Sequence, residues 1–437
     1  MEVALRNLDE DPSDVAKFNL VKDAIVRVPD IQIQQNIMLK QKSRNKWLLE
    51  GSSNSSFFHN SIQTRRSHNT ISELVAEDGT IITKVVQLRD HVVSYYEAKF
   101  NGVDLPIEDE LFNYDHLSII AEERVRLDLV PSFEEIKQAV FDLDADSAPG
   151  PGGFSGCFYS LIILLAKEKG ANTLRKFRPI GFSNFFFKIF TKILGTRLGT
   201  ILDNLVSEEQ VAFMKGRNIH ENISLASEMV NELQIKCKDG NLGLKLNISQ
   251  AFDTVSWSFV LEVFRRYGFS ENWCSLILHI LQSTRISILF NGNPEGFKIN
   301  RGLRQGDPLS PLIFVLIEDV LSRNITKIFQ TGQMSYIVSA KGISPTHLFF
   351  ADDIMFFCKG NMKSVKNLVD LLGSYQRSSG QTVCRQKSSR RKTITDFLGM
   401  SLTTFPDRFL GVQVMPGAVC NGHISPIIDK IKDHLSI

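Results

Sequence analysis

The chain has 437 residues, too many for one small module, and its 43% hydrophobic and 22% charged residues belong to a folding globular protein, which excludes wholesale disorder. Fifty Lys and Arg against forty-eight Asp and Glu leave a net charge of +2, so any polyanion must be held by local basic patches and not by a global field. The six cysteines are far apart with no CxxC pair, which argues against a zinc site and for reduced thiols. No apolar run approaches the ~20 residues that span a bilayer, and the opening MEVALRNLDEDPSD lacks a signal-peptide pattern, so an intracellular chain with no membrane partner is expected.

Residues 15–50 read as mainly helical, with Val21, Ile25 and Val28 at helical spacing and a basic stretch, LKQKSRNKW, ahead of the breaker GSSNSS. After the basic QTRRSHN, Ile71, Leu74, Val75, Ile81 and Ile82 flank Asp78-Gly79, a hairpin signal. A helix is expected over 84–100. From Asn101 to Asp128 the chain is acidic and weakly patterned, as in a linker or loosely packed surface segment, and a soft boundary is placed there.

PSFEEIKQAVFDL then predicts an amphipathic helix beginning at Pro131-Ser132, with Glu134 and Glu135 in its first turn. Helices follow over 186–205, with Lys188, Lys192 and Arg197 assigned to the polar side, and over 218–237. Leu242, Leu244 and Leu246 alternate with Gly243, Lys245 and Asn247, the period of a half-buried strand. Helices over 257–268 and 272–282, a hairpin about Gly292 and an apolar helix opening at Pro308 complete a pattern of helices mixed with antiparallel hairpins. The fold class is therefore α+β.

The sharpest local feature is HLFFADDIMFF (347–357), two apolar strand-like runs around Asp352 and Asp353. Paired carboxylates beside apolar strands are costly to bury and call for a cation, and hard oxygen ligands suit Mg²⁺; an ordinary polar turn is the plainer alternative. The strand ending at Asn247 runs on into ISQAFD, and RQGDPLSP occupies 304–311.

These three segments, in this order, resemble the motifs of reverse transcriptases from plant non-LTR (LINE-type) retrotransposons. Further blocks extend the resemblance over roughly residues 35–435: KQKSRNKWLLEGSSNSSFFHN, SAPGPGGF, KFRPIGFSN, EEQVAFMKGRNIHENI, SSGQTVCRQKS and FPDRFLGV. The resemblance implies a right-hand polymerase of fingers, palm and thumb with an antiparallel palm sheet, extending a DNA primer on an RNA template with dNTP and two Mg²⁺ ions. It divides the chain into a helical, basic segment (1–128), a shortened fingers-like region (129–240), the palm (241–415) and the start of a thumb (416–437). It gives Asp352, Asp353 and position 247 as metal ligands and Phe252 as the residue beneath the incoming sugar. Gln305 and Gly306 line the nucleotide pocket, Lys167 and Arg178 meet the triphosphate, and Lys387 is a candidate proton donor near pyrophosphate. Taken alone, Phe252 reads as core, Gln305-Gly306 as a turn, and the cations as a solvated surface.

Several positions depart from the family. Asn247 stands where it carries Asp, Gln250 where it carries Lys, Gly152 for Asp and Ala166 for Pro, and between Tyr159 and Leu161 a family segment is missing. At an effective dielectric of ~20 a unit charge at about 4 Å contributes about 4 kcal/mol, on the order of a thousandfold in rate, so the metal site is expected to be weakened. The expectation is a degenerate fragment lacking the endonuclease, with no stable protein partner, acting in the nucleus if it acts as a retroelement protein. The alternative is a catalytically dead nucleic-acid-binding remnant that uses Arg377, Arg385, Lys387, Arg390, Arg391 and Lys392, with Lys40, Lys42, Arg44, Lys46, Arg65 and Arg66, against phosphates.

Overall fold

The computed structural model describes residues 70–103, 105–143, 159–168, 170–182, 185–283, 285–291, 293–337, 345–389, 401–402, 407–410 and 412–414, with a few positions between 16 and 64. The basic stretches at 40–46 and 65–66, Gly152, Gly292 and the segment 416–437 lie outside them. So does most of the expected helix over 15–50, of which Ala16, Asn19, Val21 and Lys22 are helical. No helix of the described residues is long and apolar enough to cross a membrane.

The chain forms two compact units that meet in sequence at Val85/Val86. In the first, β1 (Leu74–Val75) pairs antiparallel with β2 (Ile81–Ile82). The Asp78-Gly79 turn closes it: Ala76 N donates to Thr80 O at 2.9 Å, and Thr80 N donates to Asp78 Oδ1 at 2.9 Å.

In the second unit α1 (Val85–Phe100) buries Leu88, Val92, Tyr96 and Phe100, a four-residue spacing that keeps one face inward. The acidic stretch that follows is not loosely packed. It holds a 3₁₀ turn (Asp109–Phe112) and α2 (Ala121–Asp128), and Leu111, Phe112, Ile119 and Leu127 are buried in the main core. The irregular backbone hides any helical period, while the acids bind outward cations: Asp109 pairs with Arg266 at 2.5 Å and Glu108 with Arg377 at 2.7 Å.

Helix α3 (Phe133–Phe141) starts as expected. Ser132 Oγ accepts Glu135 N–H and Glu135 Oε2 accepts Ser132 N–H, a reciprocal cap. Glu135 also takes the Arg197 guanidinium at 2.8 Å, which holds its carboxyl down at about 2. Arg197, on α4 (Phe185–Leu205), is therefore buried between helices and not on a solvated face.

A four-stranded sheet of order β4-β3-β6-β7 joins β3 (Tyr159–Ala166), β4 (Phe177–Phe182), β6 (Arg285–Phe290) and β7 (Asn293–Lys298). Helix α5 (Ile219–Glu232) precedes the central strand of a five-stranded sheet, ordered β11-β10-β5-β9-β8. Its strands are β5 (Asn241–Ser249), β8 (His347–Phe350), β9 (Asp353–Lys359), β10 (Thr382–Ser389) and β11 (Ser401–Leu402). Pairing is antiparallel as expected, except that β11 joins β10 in parallel. Both faces are covered, so β9 is apolar between its two end residues: Ile354, Phe356 and Cys358 enter the main core, while Met355 and Phe357 enter a second one with Val230, Phe409 and Val414. The second core is closed by the hairpin of β12 (Asp407–Phe409) and β13 (Val412–Val414).

The main core is filled by α6 (Trp257–Arg266), α7 (Glu271–Gln282), α8 (Ser310–Gln330) and α9 (Met362–Ser379). Helix α8 begins at Ser310 with Pro311 in its first turn, where the missing N–H costs nothing, and not at Pro308. Two glycines let the loop after β5 approach closely. A Cβ on Gly302 (φ +90°) would lie 2.6 Å from Asp253 O, and one on Gly380 (φ +75°) 2.7 Å from Thr254 O.

Glu318 of α8 is fully buried. Tyr375 OH lies 3.2 Å from its Oε1 and donates to Gln381 Oε1 at 2.6 Å, and Gln381 Nε2 in turn donates to Ala251 O at 3.0 Å. With no ion pair to it among the described residues, burial pushes the Glu318 carboxyl up from 4.5 to about 8. The folded protein then holds a proton that the unfolded chain releases, so this group lowers stability as pH rises from 4.5 to about 8, and the loss levels off above that. Glu318→Gln needs no proton. It is expected to melt near the parent at pH 5 and a few degrees above it at pH 8, which thermal denaturation at the two pH values would measure.

Candidate active site

Two strand ends and one turn build the site. Antiparallel register sets Asn247 of β5 opposite Asp353 of β9 and opposite Cys384 of β10. Phe350 pairs with Asp353, so Ala351 and Asp352 form a two-residue turn whose first residue has φ +51°. The Asp352 carbonyl accepts Ile248 N–H at 2.9 Å, which locks the turn to β5. Asn247 Nδ2 donates to Asp352 Oδ2 at 3.2 Å and to Asp353 Oδ1 at 3.3 Å, so residues far apart in sequence converge at one end of the sheet.

Burial raises the Asp352 carboxyl above its ordinary range, and the Asp353 charge adds to this. The Asn247 amide and the Arg178 cation oppose it. Lys167, just beyond β3, is lowered first by partial burial and then by Lys99 and Arg178, while Asp253 and Asp352 oppose that shift. Lys167 and Arg178 therefore share an electrostatic environment with the acidic turn, Arg178 exposed on β4 and Lys167 Nζ bound to Arg175 O at 3.0 Å.

The Phe252 ring is partly buried and stacked on Phe314 at 4.6 Å, so its position is fixed from behind. Gln305 donates through Nε2 to Asp253 Oδ1 at 3.0 Å, and Gly306 takes φ +97° beside it. Lys387 has its backbone on β10 opposite Lys245, past an irregularity at Arg385/Lys387, farther along the strand than the Cys384–Asn247 pair. Arg377 is bound to Glu108 and to Ser374 Oγ. Arg390, Arg391 and Lys392 lie outside the described residues.

Sequence reasoning missed Lys99. It closes a 2.6 Å ion pair with buried Asp253 and lies over the Tyr96 and Phe100 rings of its own helix. Desolvation raises the Asp253 carboxyl, with Lys99 the main opposing influence. The one signal was a cation placed beside the inward Tyr96 and Phe100 of an otherwise amphipathic helix.

Among the described residues no group of three His, Cys, Asp or Glu is placed to hold a metal ion. Asp352 and Asp353 offer the oxygens of two carboxylates, whereas Asn247 turns an N–H donor toward both, and Asp253 is committed to Lys99 and Gln305. A divalent ion held here would take the Asp352 and Asp353 carboxylates, with no third carboxylate placed beside them among the described residues.

Residues 166–402 match the family described as reverse transcriptase (RNA-dependent DNA polymerase). The chain belongs to that family. Its fold mixes helix and strand. It is similar to the Pol polyprotein of the type-1 retrotransposable element R2 of Nasonia vitripennis, 30% identical over 46% of this chain and 19% of that protein. It is also similar to a 149 kDa protein of transposon TX1 of Xenopus laevis, 22% identical over 76% of this chain and 27% of that one. The chain thus spans about a fifth to a quarter of these relatives. A solved telomerase of Candida albicans overlays with a TM-score of 0.44 at 12% identity, across 90% of this chain and 64% of that one.

The Lys99–Asp253 pair yields a test of the scaffold. Lys99→Met strands a buried carboxylate and is expected to cost about 3–5 kcal/mol of unfolding free energy. Adding Asp253→Asn should recover most of that, and urea denaturation of the two single variants and the double variant would measure the coupling.

Proposed function

We propose that the chain is the polymerase portion of a LINE-type retroelement protein, an RNA-directed DNA polymerase whose nucleotidyl transfer is impaired by Asn247. The observation that carries this reading is the meeting of the Asn247 amide with both the Asp352 and Asp353 carboxylates, in a setting shared with Lys167 and Arg178. In this proposal the five-stranded sheet belongs to the palm, and the four-stranded sheet joins β3 and β4 of a shortened fingers-like region to β6 and β7 of the palm segment.

Asp352 and Asp353 would hold Mg²⁺, which supplies positive charge where a phosphoryl group is transferred to a primer hydroxyl. Lys167 and Arg178 would bind the triphosphate of a dNTP. Phe252, backed by Phe314, would fill the space of a 2′-hydroxyl, and Gln305, held by Asp253, would face the nucleotide. Lys387 would give a proton to the leaving pyrophosphate. Asn247 supplies an N–H donor where an anionic oxygen would attract a cation, so extension by the unmodified chain is expected to be near background. A plant element and a decayed copy are the source we assign, on the motif pattern and its departures.

Primer extension on an RNA template tests the reading. Asn247→Asp should raise the rate by on the order of tenfold or more, with a further gain from Gln250→Lys, and Asp352→Ala should abolish it. Extension by the unmodified chain that persists in Asp352→Ala would overturn the assignment.

A second reading, a catalytically dead nucleic-acid binder, is favoured by the same Asn247. Under it, affinity for a primer-template should drop about tenfold or more from about 50 to 200 mM salt, and neutralising Arg390, Arg391 and Lys392 together should flatten that slope. Fluorescence anisotropy at several salt concentrations would measure both.

A further inference from the structure

The acidic turn is gripped from its outer side by a residue to which the motif pattern gave no role. The segment 207–212 runs beside β8 as an added edge. Phe349 N donates to Glu209 O at 2.9 Å, Val211 N to Phe349 O at 3.2 Å, and Gln210 bridges Phe349 in parallel. The Gln210 side chain is buried, and its Oε1 accepts two backbone N–H groups, Ala212 at 3.1 Å and Ala351 at 3.1 Å. The first bond shapes its own loop, and the second crosses to the turn.

Ala351 is the residue the turn strains. It has a left-handed φ of +51° at the hairpin position that commonly carries glycine, and a Cβ disfavours that region. Its N–H is tied to Gln210, and the next carbonyl, of Asp352, is tied to Ile248 N–H on the opposite flank. The loop that holds Gln210 is itself anchored: Arg217 donates to Gln210 O at 2.6 Å and to Val206 O at 3.0 Å, and Asn222 Nδ2 donates to Phe349 O at 2.9 Å. Gln210 Nε2 has no hydrogen-bond partner among the described residues, so the bonds seen to orient the amide run through its carbonyl oxygen.

We propose that Gln210 is a positioning residue for the acidic turn: its side-chain carbonyl clamps Ala351 in the left-handed conformation from which Asp352 and Asp353 meet Asn247. The role rests on the polymerase reading only for its consequence in catalysis, since the clamp itself is a matter of backbone geometry.

The test uses the 437-residue chain and two substitutions. Gln210→Met keeps length and volume and removes the acceptor, and Ala351→Gly removes the Cβ that makes the clamp necessary. Hydrogen exchange at single-residue resolution should show the Ala351 amide exchanging about tenfold faster or more in Gln210→Met, with Phe356 in the middle of β9 unchanged. In the Asn247→Asp chain, Gln210→Met should lower the single-turnover extension rate about tenfold at unchanged KM for dNTP, and adding Ala351→Gly should restore it. A purely structural role would slow extension without rescue by glycine, and that result would overturn the proposal. Unchanged exchange at Ala351 in a folded Gln210→Met chain would overturn it as well. If Gln210→Met does not fold, recovery of folding by Ala351→Gly supports the clamp and failure to recover refutes it. Absence of extension in Asn247→Asp, with the expected exchange result, counts against the polymerase reading and leaves the clamp standing.

Discussion

The structure depends on one register, the antiparallel match of β5 with β9 that puts Asn247 against Asp353. Strand side chains alternate between faces, so a slip of one residue would move Leu242, Leu244 and Leu246 out of the core and turn Asn247 away from the acidic turn. Burial on both faces makes that slip costly. Ile354 and Phe356 fill one core while Met355 and Phe357 fill the other, and neither set tolerates exchange with the other. The polar end of the sheet is thus aligned by apolar residues that take no part in its chemistry.

A second layer of constraint is ionic and local. The loop after β5 is held by the Lys99–Asp253 pair, by the bond from Gln305 and by the link from Gln381 to Ala251. None of these groups is a spare surface charge, since each partner is buried enough that losing the other would leave an unmet charge or hydrogen bond. Elements distant in sequence, α1 and β10 among them, are thereby fixed to the segment that carries Phe252.

Much of this was legible in the sequence because it obeys simple periods. The Leu242–Leu246 alternation, the Asp78-Gly79 turn and the Ser132–Glu135 cap each depend on neighbours a few residues apart. The convergence of residues 247, 352 and 353 was legible only through the ordered motifs, because nothing local to Asn247 points toward a hairpin so far along the chain. What escaped was of another kind. Leu111, Phe112, Ile119 and Leu127 are buried from a segment without a period, and Arg197 and Lys99 are buried cations whose partners, Glu135 and Asp253, come from other elements. Their burial follows from tertiary pairing, which hydrophobic patterning does not encode.

The close approach of Gly302 and Gly380 to the Asp253 and Thr254 carbonyls bears on which substitutions such a chain can absorb. Every amino-acid replacement of a glycine brings in a Cβ, so any change at these two positions would wedge apart the loop beneath the site. An amide and a carboxylate at 247 differ in charge and almost nothing in shape, and the structure accommodates the amide with hydrogen bonds to both neighbours. Tolerance to substitution in this fold therefore has a built-in order. Chemistry can be erased by isosteric changes while the architecture persists, and the glycines mark where architecture itself would begin to fail.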